Sequence, residues 1–218
     1  MNVTCTSDLH GWLPKLSGGD LLIVAGDLTT SDTKEQHSEF CEWLDAQSYK
    51  MKIVIAGNHD NNIDVDEIES MSNCRYLCDS GAEFCGMKIW GSPHTTKFPN
   101  QNPHAMAFAA EFDDHLDEKW ALIPDDVDIL ITHTPPFGIL DHAYSRYPDF
   151  AWKNFGSRSL RAHLYSERIK PKLHVFGHCH EGYGGIRKML DFPGVIFINA
   201  AHMDESYLPT NAPIDIKL

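Results

Sequence analysis

Leu173-His174-Val175-Phe176-Gly177-His178-Cys179-His180 is a short apolar run that ends, past a glycine, in two histidines one residue apart. Runs of aliphatic and β-branched residues of this length read as buried strands. The same plan recurs outward along the chain. Val3-Thr4-Cys5-Thr6 ends in Ser7-Asp8-Leu9-His10, and Leu21 to Ala25 ends in Gly26-Asp27. Met51 to Ala56 ends in Gly57-Asn58-His59-Asp60, Ile129-Leu130-Ile131-Thr132 in His133, and Ile196-Phe197-Ile198 in Asn199. Each run delivers a metal-capable or acid–base side chain at its C-terminal end. In layered α/β folds that edge of the sheet is where ligands bind.

Helices fit between some of these strands. Asp32-Thr33-Lys34-Glu35 has capping-box spacing ahead of Phe40, Trp43 and Leu44, which share one helical face. A second helix is expected from about His104 to Lys119, with Phe108, Phe112 and Leu116 four residues apart. A third begins near Ser159 and stops before Pro171. Gly81 to Trp90, with Gly86 inside it, reads as a hairpin. Ser92 to Pro103, with Pro93, Pro99 and Pro103, reads as loop. So does Thr134 to Ser157, which holds Pro135, Pro136, Pro148 and six aromatics. Long loops in compact domains are often functional.

The 218 residues fit one domain, read as 1–218, with room for a substantial core. The longest apolar runs are far too short to span a bilayer. Met1-Asn2-Val3-Thr4-Cys5 carries neither a basic leader nor an apolar signal core, which reads as the start of a soluble, cytoplasmic protein. Six cysteines without a C-x-x-C pair read as reduced thiols. The net charge of −13 argues against an extended nucleic-acid track, because non-specific duplex binding relies on neutralising phosphates.

Asp8 and His10 are two residues apart. In an extended segment they would point to one side and converge on one cation. His178 and His180 repeat that spacing, with Cys179 directed away. Asp27, Asn58 and His133 each stand just beyond a strand. Three carboxylate or amide donors and four imidazoles suffice for two cations that share a bridging carboxylate. Mixed nitrogen and oxygen donors without thiolate suit Mn²⁺, Fe, Zn²⁺ or Ni²⁺, with Mg²⁺ less natural.

These ordered motifs resemble the calcineurin-like metallophosphoesterase signature. The resemblance runs from Asp8 to His180. Lys52 to His59, Gly91-Ser92-Pro93, Pro171 to Gly177, His180 to Gly184 and Pro209 to Pro213 resemble its MPPED branch, related to class III cyclic-nucleotide phosphodiesterases. Some animal members of that branch have Gly at the position of His178; the full histidine set here points to an intact two-metal site. The resemblance implies an α/β, four-layer fold of two packed mixed β-sheets flanked by helices. It implies that Asp8, His10, Asp27 and His180 hold a first metal, and Asp27, Asn58, His133 and His178 a second. The cations would be two divalent ions, Mn²⁺ first, then Fe, Ni²⁺, Zn²⁺ or Mg²⁺. A metal-bridging hydroxide would attack phosphorus. His59 would act as general acid over the leaving group, not as a ligand, with Asp60 orienting it.

The expected activity is therefore hydrolysis of small phosphodiesters, cyclic or other nucleotide esters. Phosphoprotein phosphatase and nuclease are the alternatives within the fold, and a non-catalytic scaffold is the alternative outside enzymes. Asn58, His59 and His94 are candidate substrate contacts. Tyr144, Tyr147, Trp152 and His142, in the loop after His133, could stack on a base, or simply pack that loop onto the domain. Asn199 supports the site or a turn. The remaining histidines, His174 among them, read as surface or packing residues. Expected partners are a small phosphodiester or nucleotide, with no membrane.

Overall fold

The computed structural model describes residues 1–97, 103–143, 153–186 and 188–218. Among them, β1 (Asn2–Thr6), β2 (Gly19–Ala25), β3 (Tyr49–Ile55) and β4 (Cys74–Tyr76) pair in parallel. A later strand, Ile214–Lys217, closes the free edge of β1 in antiparallel register. The hairpin expected around Gly86 forms as β5 (Ser80–Phe84) and β6 (Met87–Ser92). Two short strands, β7 (Thr95–Thr96) and β8 (Ala109–Ala110), pair with each other. The second large sheet continues from β6 to β9 (Ile129–Thr132). The minor pair β10 (His142–Ala143) and β11 (Lys153–Asn154) follows in the chain, then β12 (Leu173–Phe176), β13 (Gly184–Ile186) and β14 (Ile196–Asn199). Its order is β13-β14-β12-β9-β6-β5, with β6, β9, β12 and β14 parallel. The strand at Ile214–Lys217 is β15.

Side-chain alternation explains the layering. Leu21, Ile23 and Ala25 of β2, with Ile129 and Ile131 of β9 and Leu173 and Val175 of β12, meet between the two sheets. The intervening Leu22 and Val24 face Phe40, Cys41 and Leu44 of α1 (Lys34–Asp45), and Ile68 of α2 (Val65–Ser70). On the other side, Leu130, Phe176 and Phe197 pack on Trp120 of α3 (Asp117–Ala121) and on Leu160 and Leu164 of α4 (Arg158–Tyr165). A strand covered on both faces must be apolar at every position, which is why these strands read as continuous runs. Burying each Leu or Ile contributes about 1.5–3 kcal/mol. The result is the expected four layers, helix–sheet–sheet–helix.

Three helix expectations fare differently. Thr33, rather than Asp32, caps α1, its hydroxyl accepting from Gln36 N at 3.3 Å. Asp32 is taken up by His37 and Asn62 instead. Ser157 caps α4, which stops at Tyr165. The helix over His104–Lys119 does not form: only Asp117–Ala121 is α-helical, after a short 3-10 turn at Asp113–Leu116. Phe108 sits at φ 53° and Phe112 is 63% exposed. The reason is that this segment's backbone bonds go elsewhere. Ala107 N donates to Asn58 O at 3.1 Å, the Ala105 carbonyl accepts from Asn58 Nδ2, and the Phe108 carbonyl accepts from Thr95 N. The segment is used to cover the Asn58 turn. Pro99, Tyr144, Arg146, Tyr147 and Trp152 lie outside the described residues.

His174 is fully buried in the helix-side layer, against Phe176 and Phe197. Thr132 Oγ1 donates to the Thr134 carbonyl at 2.6 Å, so His174 Nε2 must donate to that hydroxyl at 2.8 Å. Its Nδ1 is left without a hydrogen-bond partner. Burial pushes the imidazole from 6.5 down to about 3. Between those values the unfolded chain binds the proton and the folded one does not, so stability is lost as pH falls through that window. His174→Leu is expected to lose less stability than wild type between pH 7 and pH 4. Urea midpoints at both values measure it; an identical acid loss in the two proteins would refute the assignment.

Candidate metal centre

The parallel strands of both sheets end at one edge, and the sheets are joined there. Ser7 N donates to Ala200 O at 2.9 Å, and His202 N donates to Ser7 O at 2.8 Å. This edge collects Asp8, His10, Asp27 and Asn58 from the first sheet and His133, His178 and His180 from the second. All seven are buried. Asp8, His10 and His180 present donor atoms within 4.8 Å of one another, as do Asp8, Asp27 and His133, and as do His10, Asp27 and His59. Asp27 Oδ1 lies 3.4 Å from His133 Nε2, and Asp27 Oδ2 lies 3.7 Å from His10 Nε2. One carboxylate thus faces two sides of the cluster.

Convergence does not arise from strand alternation. β1 ends at Thr6, and Asp8 and His10 follow in a turn with φ of 50° and 45°. Asp27 and His178 are also left-handed, at 52° and 67°. Such φ values are uncommon in residues with a Cβ and persist where the surroundings over-determine them. Here they do: the His178 N–H donates to both Asp8 oxygens at 3.0 Å, and Asp8 N and His10 N donate to Gly26 O and Asp27 O.

The proton positions follow from the outer partners. His133 Nδ1 can only donate to the Ala25 carbonyl, at 3.0 Å, which leaves Nε2 facing Asn58 Oδ1 at 3.1 Å and Asp27 Oδ1. Asn58 Nδ2 gives to Ala105 O, which fixes its oxygen toward His133. His180 Nδ1 donates to the Asp204 carbonyl at 3.1 Å, leaving Nε2 facing Asp8 Oδ1 at 3.3 Å and His10 Nε2 at 3.4 Å. In their neutral forms these groups direct lone pairs at one another. An imidazole locked by a carbonyl on its far nitrogen is the usual state of a metal-ligating histidine. The donor set therefore fits divalent cations.

With the protein groups alone, burial is the largest influence on each, and neighbouring charges set the net direction. Burial raises Asp8, but the hydrogen bond and charge of His180 outweigh it and hold Asp8 at about 2. Asp27 is likewise held well below the usual carboxylate range by His133, His59 and His10, against its own burial. Burial lowers His133, yet Asp27 raises it to about 9. Burial takes His10 down to about 4, and His178 down to about 3 with help from His133. The centre holds two anions that stay ionised and attracts positive charge.

His178 joins through its ring, 4.9 Å from that of His133, but its Nε2 bonds Thr95 Oγ1 at 2.9 Å. His59 lies at the mouth. Its Nδ1 donates to the Thr30 carbonyl at 3.1 Å, its backbone N–H donates to Asp27 Oδ1 at 2.9 Å, and its ring stands 4.6 Å from that of His10. Asp60 does not orient it. Its fully buried carboxylate accepts from Leu28 N at 3.0 Å, Thr29 N at 3.2 Å and Gly57 N at 2.8 Å, tying the Asp27 and Asn58 turns together. Burial and the charge of Asp27 raise it to about 6, against those N–H donors. The orienting group is the Thr30 carbonyl, which no side-chain pattern advertises. His94 is held by Asp79 at 2.9 Å, beside Phe108, and makes no hydrogen bond to the seven donors among the described residues.

Other contributors were not legible in the sequence. Thr95 positions His178, and the Asp204 carbonyl positions His180. Tyr207 lays its ring 5.2 Å from His10 and 4.8 Å from His180. Asn199 proves to be a support: its Nδ2 donates to the Cys179 and Leu140 carbonyls at 2.8 and 2.9 Å, clamping the His178–His180 turn.

Two packed mixed sheets that bring carboxylate, amide and imidazole donors to a common edge define a metal-dependent hydrolase centre. Comparison with known proteins gives the family. The calcineurin-like phosphoesterase profile matches residues 1–182. Human Metallophosphoesterase domain-containing protein 1 is 34% identical, over 98% of this chain and 70% of that protein. A UPF0046 protein of Caenorhabditis elegans is 33% identical, over 98% of this chain and 74% of that one. One crystal structure superposes with a TM-score of 0.64 at 15% identity, over 91% of this chain and 89% of the other, a likeness of fold alone. The chain belongs to the calcineurin-like phosphoesterase family, and is a metal-dependent phosphoric ester hydrolase. Among the described residues no helix is long and apolar enough to cross a membrane.

Proposed function

We propose that this protein is a cytoplasmic phosphodiesterase for small phosphodiesters, cyclic or other nucleotide esters, working with two Mn²⁺ ions. Asp8, His10, Asp27 and His180 would hold one ion. Asp27, Asn58, His133 and His178 would hold the other, His178 exchanging its bond to Thr95 or using its other nitrogen. The observation that carries this reading is the set of lone pairs turned inward by outer carbonyls on His133 and His180. Two such cations supply, when bound, an activated water and neutralisation of phosphoryl charge.

The chain's own residues do the rest. His59 keeps Nδ1–H on the Thr30 carbonyl, which aims the ring so that Nε2 can give a proton to the departing alkoxide. Thr30 Oγ1 in turn donates to the His10 carbonyl, tying the acid's support to the donor turn. Asp27 accepts from the His59 N–H, fixing where that acid sits. The anionic surface and net charge of −13 favour a small substrate over an extended nucleic acid.

The first test is hydrolysis of bis(p-nitrophenyl) phosphate by metal-stripped protein with Mn²⁺ restored. Absence of turnover with Mn²⁺, Ni²⁺, Zn²⁺ or Fe²⁺ would shift the reading to a scaffold or a far narrower substrate. His59→Asn is expected to keep its metal and lose about 10²–10⁴-fold on alkyl esters, with a much smaller loss on the p-nitrophenyl ester. Equal losses on both would remove His59 as the acid.

A further inference from the structure

Beside the donor cluster stands one aromatic ring that comes from neither sheet. Tyr207 belongs to the turn Asp204–Leu208, and it is left-handed at φ 58°. That strained backbone is held at several points. Asp204 Oδ1 accepts from Ser206 N at 2.8 Å and from Leu208 N at 2.9 Å, and Tyr207 N donates to Asp204 O at 3.0 Å. The same Asp204 carbonyl accepts from His180 Nδ1. The turn is thereby locked to a candidate metal ligand. Its product is the placement of one ring, edge to face with His10 and His180, at 63° and 72°.

Tyr207 is 52% exposed. His10 touches His59 on one side and Tyr207 on another, at ring separations of 4.6 and 5.2 Å. His59 and Tyr207 thus both stand against the His10 imidazole. Both residues therefore lie beside the donors, within reach of the organic part of an ester whose phosphoryl group is drawn there. His59 is polar and bonded to a carbonyl; Tyr207 offers a flat π-surface. Stacking on such a surface is tolerant of sequence or substituent and selects for flat heteroaromatic groups.

We propose that Tyr207 is a substrate-positioning residue that stacks on a flat aromatic or heteroaromatic group of the phosphoester. This rests on the phosphodiesterase reading for the presence of an ester in the cleft, and it adds which part of that ester is recognised and by what. It places this contact on the turn Asp204–Leu208.

The test uses Mn²⁺-loaded protein and two monoester probes that differ only in the base, adenosine 5′-monophosphate and ribose 5-phosphate, measured by calorimetry. Tyr207→Ala is expected to weaken the nucleotide about tenfold. Ribose 5-phosphate should bind unchanged. Tyr207→Phe, which keeps the ring, should retain the nucleotide affinity. In turnover, the alanine variant should raise KM for aryl diesters, with little change in kcat. Equal weakening of both probes would mean that Tyr207 serves only to hold His10 and His180, and would overturn the proposal. So would wild-type protein that binds the two probes equally. Loss of the phosphodiesterase reading shows separately, as absent wild-type turnover of bis(p-nitrophenyl) phosphate, while the binding contrast stays readable.

Discussion

Asp27→Asn is expected to lower phosphoester hydrolysis on the order of 10³-fold and to release metal on desalting. Asparagine keeps the shape of the side chain and tolerates the left-handed backbone at φ 52°, so the fold should survive. It also keeps an oxygen for the His59 N–H, at 2.9 Å in the native protein. What it removes is charge, from a carboxylate whose two oxygens face different histidines, Oδ1 toward His133 at 3.4 Å and Oδ2 toward His10 at 3.7 Å. Asp8 is turned toward His180 and the His178 N–H. The measurement is metal content by elemental assay beside turnover. Near-native turnover with full metal content would sink the bridging role.

Gly177→Ala carries the largest expected effect on stability. A Cβ at this position would lie 1.9 Å from Asp8 Oδ2 and 2.1 Å from Ser7 Oγ. Neither atom can retreat. The Asp8 carboxylate is held by the His178 N–H, and Ser7 Oγ donates to Ala25 O at 2.9 Å. Both lie at the seam between the sheets. Overpacking a core commonly costs about 1–3 kcal/mol, and a collision with pinned polar atoms belongs at or beyond the top of that range. The expected result is a large drop in urea midpoint together with loss of metal binding. Gly185→Ala is the control. Its Cβ would meet Phe197 O at 3.6 Å and Ile198 Cγ1 at 3.9 Å, ordinary contacts, so the midpoint should shift by only about 0.5 kcal/mol. Comparable losses in the two variants would mean that Gly177 is not read correctly as a forced glycine.

Much of this protein was legible from the chain because its information is local. A short apolar run that ends in a metal-capable residue specifies a buried strand and its exit within eight residues or so. Repeated at Asp8, Asp27, Asn58, His133 and His178, with an intervening glycine at three of them, that pattern led to the donors and, through the family it resembles, to the layers. The hairpin around Gly86 and the capped start of α1 were read by the same short-range logic. The limits were equally physical. The His104–Lys119 periodicity promised a helix, yet that backbone bonds to the Asn58 turn and to Thr95 instead. Asp60 stood beside His59 in sequence, but its carboxylate found the N–H groups of Leu28 and Thr29, some thirty residues away, and of Gly57 in its own turn.

By itself the sequence determined where the main strands lie along the chain, the residue types at their ends and the family those residues resemble. Only the tertiary structure decided which donor faces which, and which nitrogen of each histidine carries the proton. It also decided that the turns bearing Asp8, His10, Asp27 and His178 are left-handed. Those outcomes depend on hydrogen bonds between segments far apart in the chain, such as Ala25 with His133 and Asp8 with His178. Local propensity cannot encode a partner more than a hundred residues away, and so Tyr207, set beside His10 by a turn near the opposite end of the chain, became visible only in three dimensions.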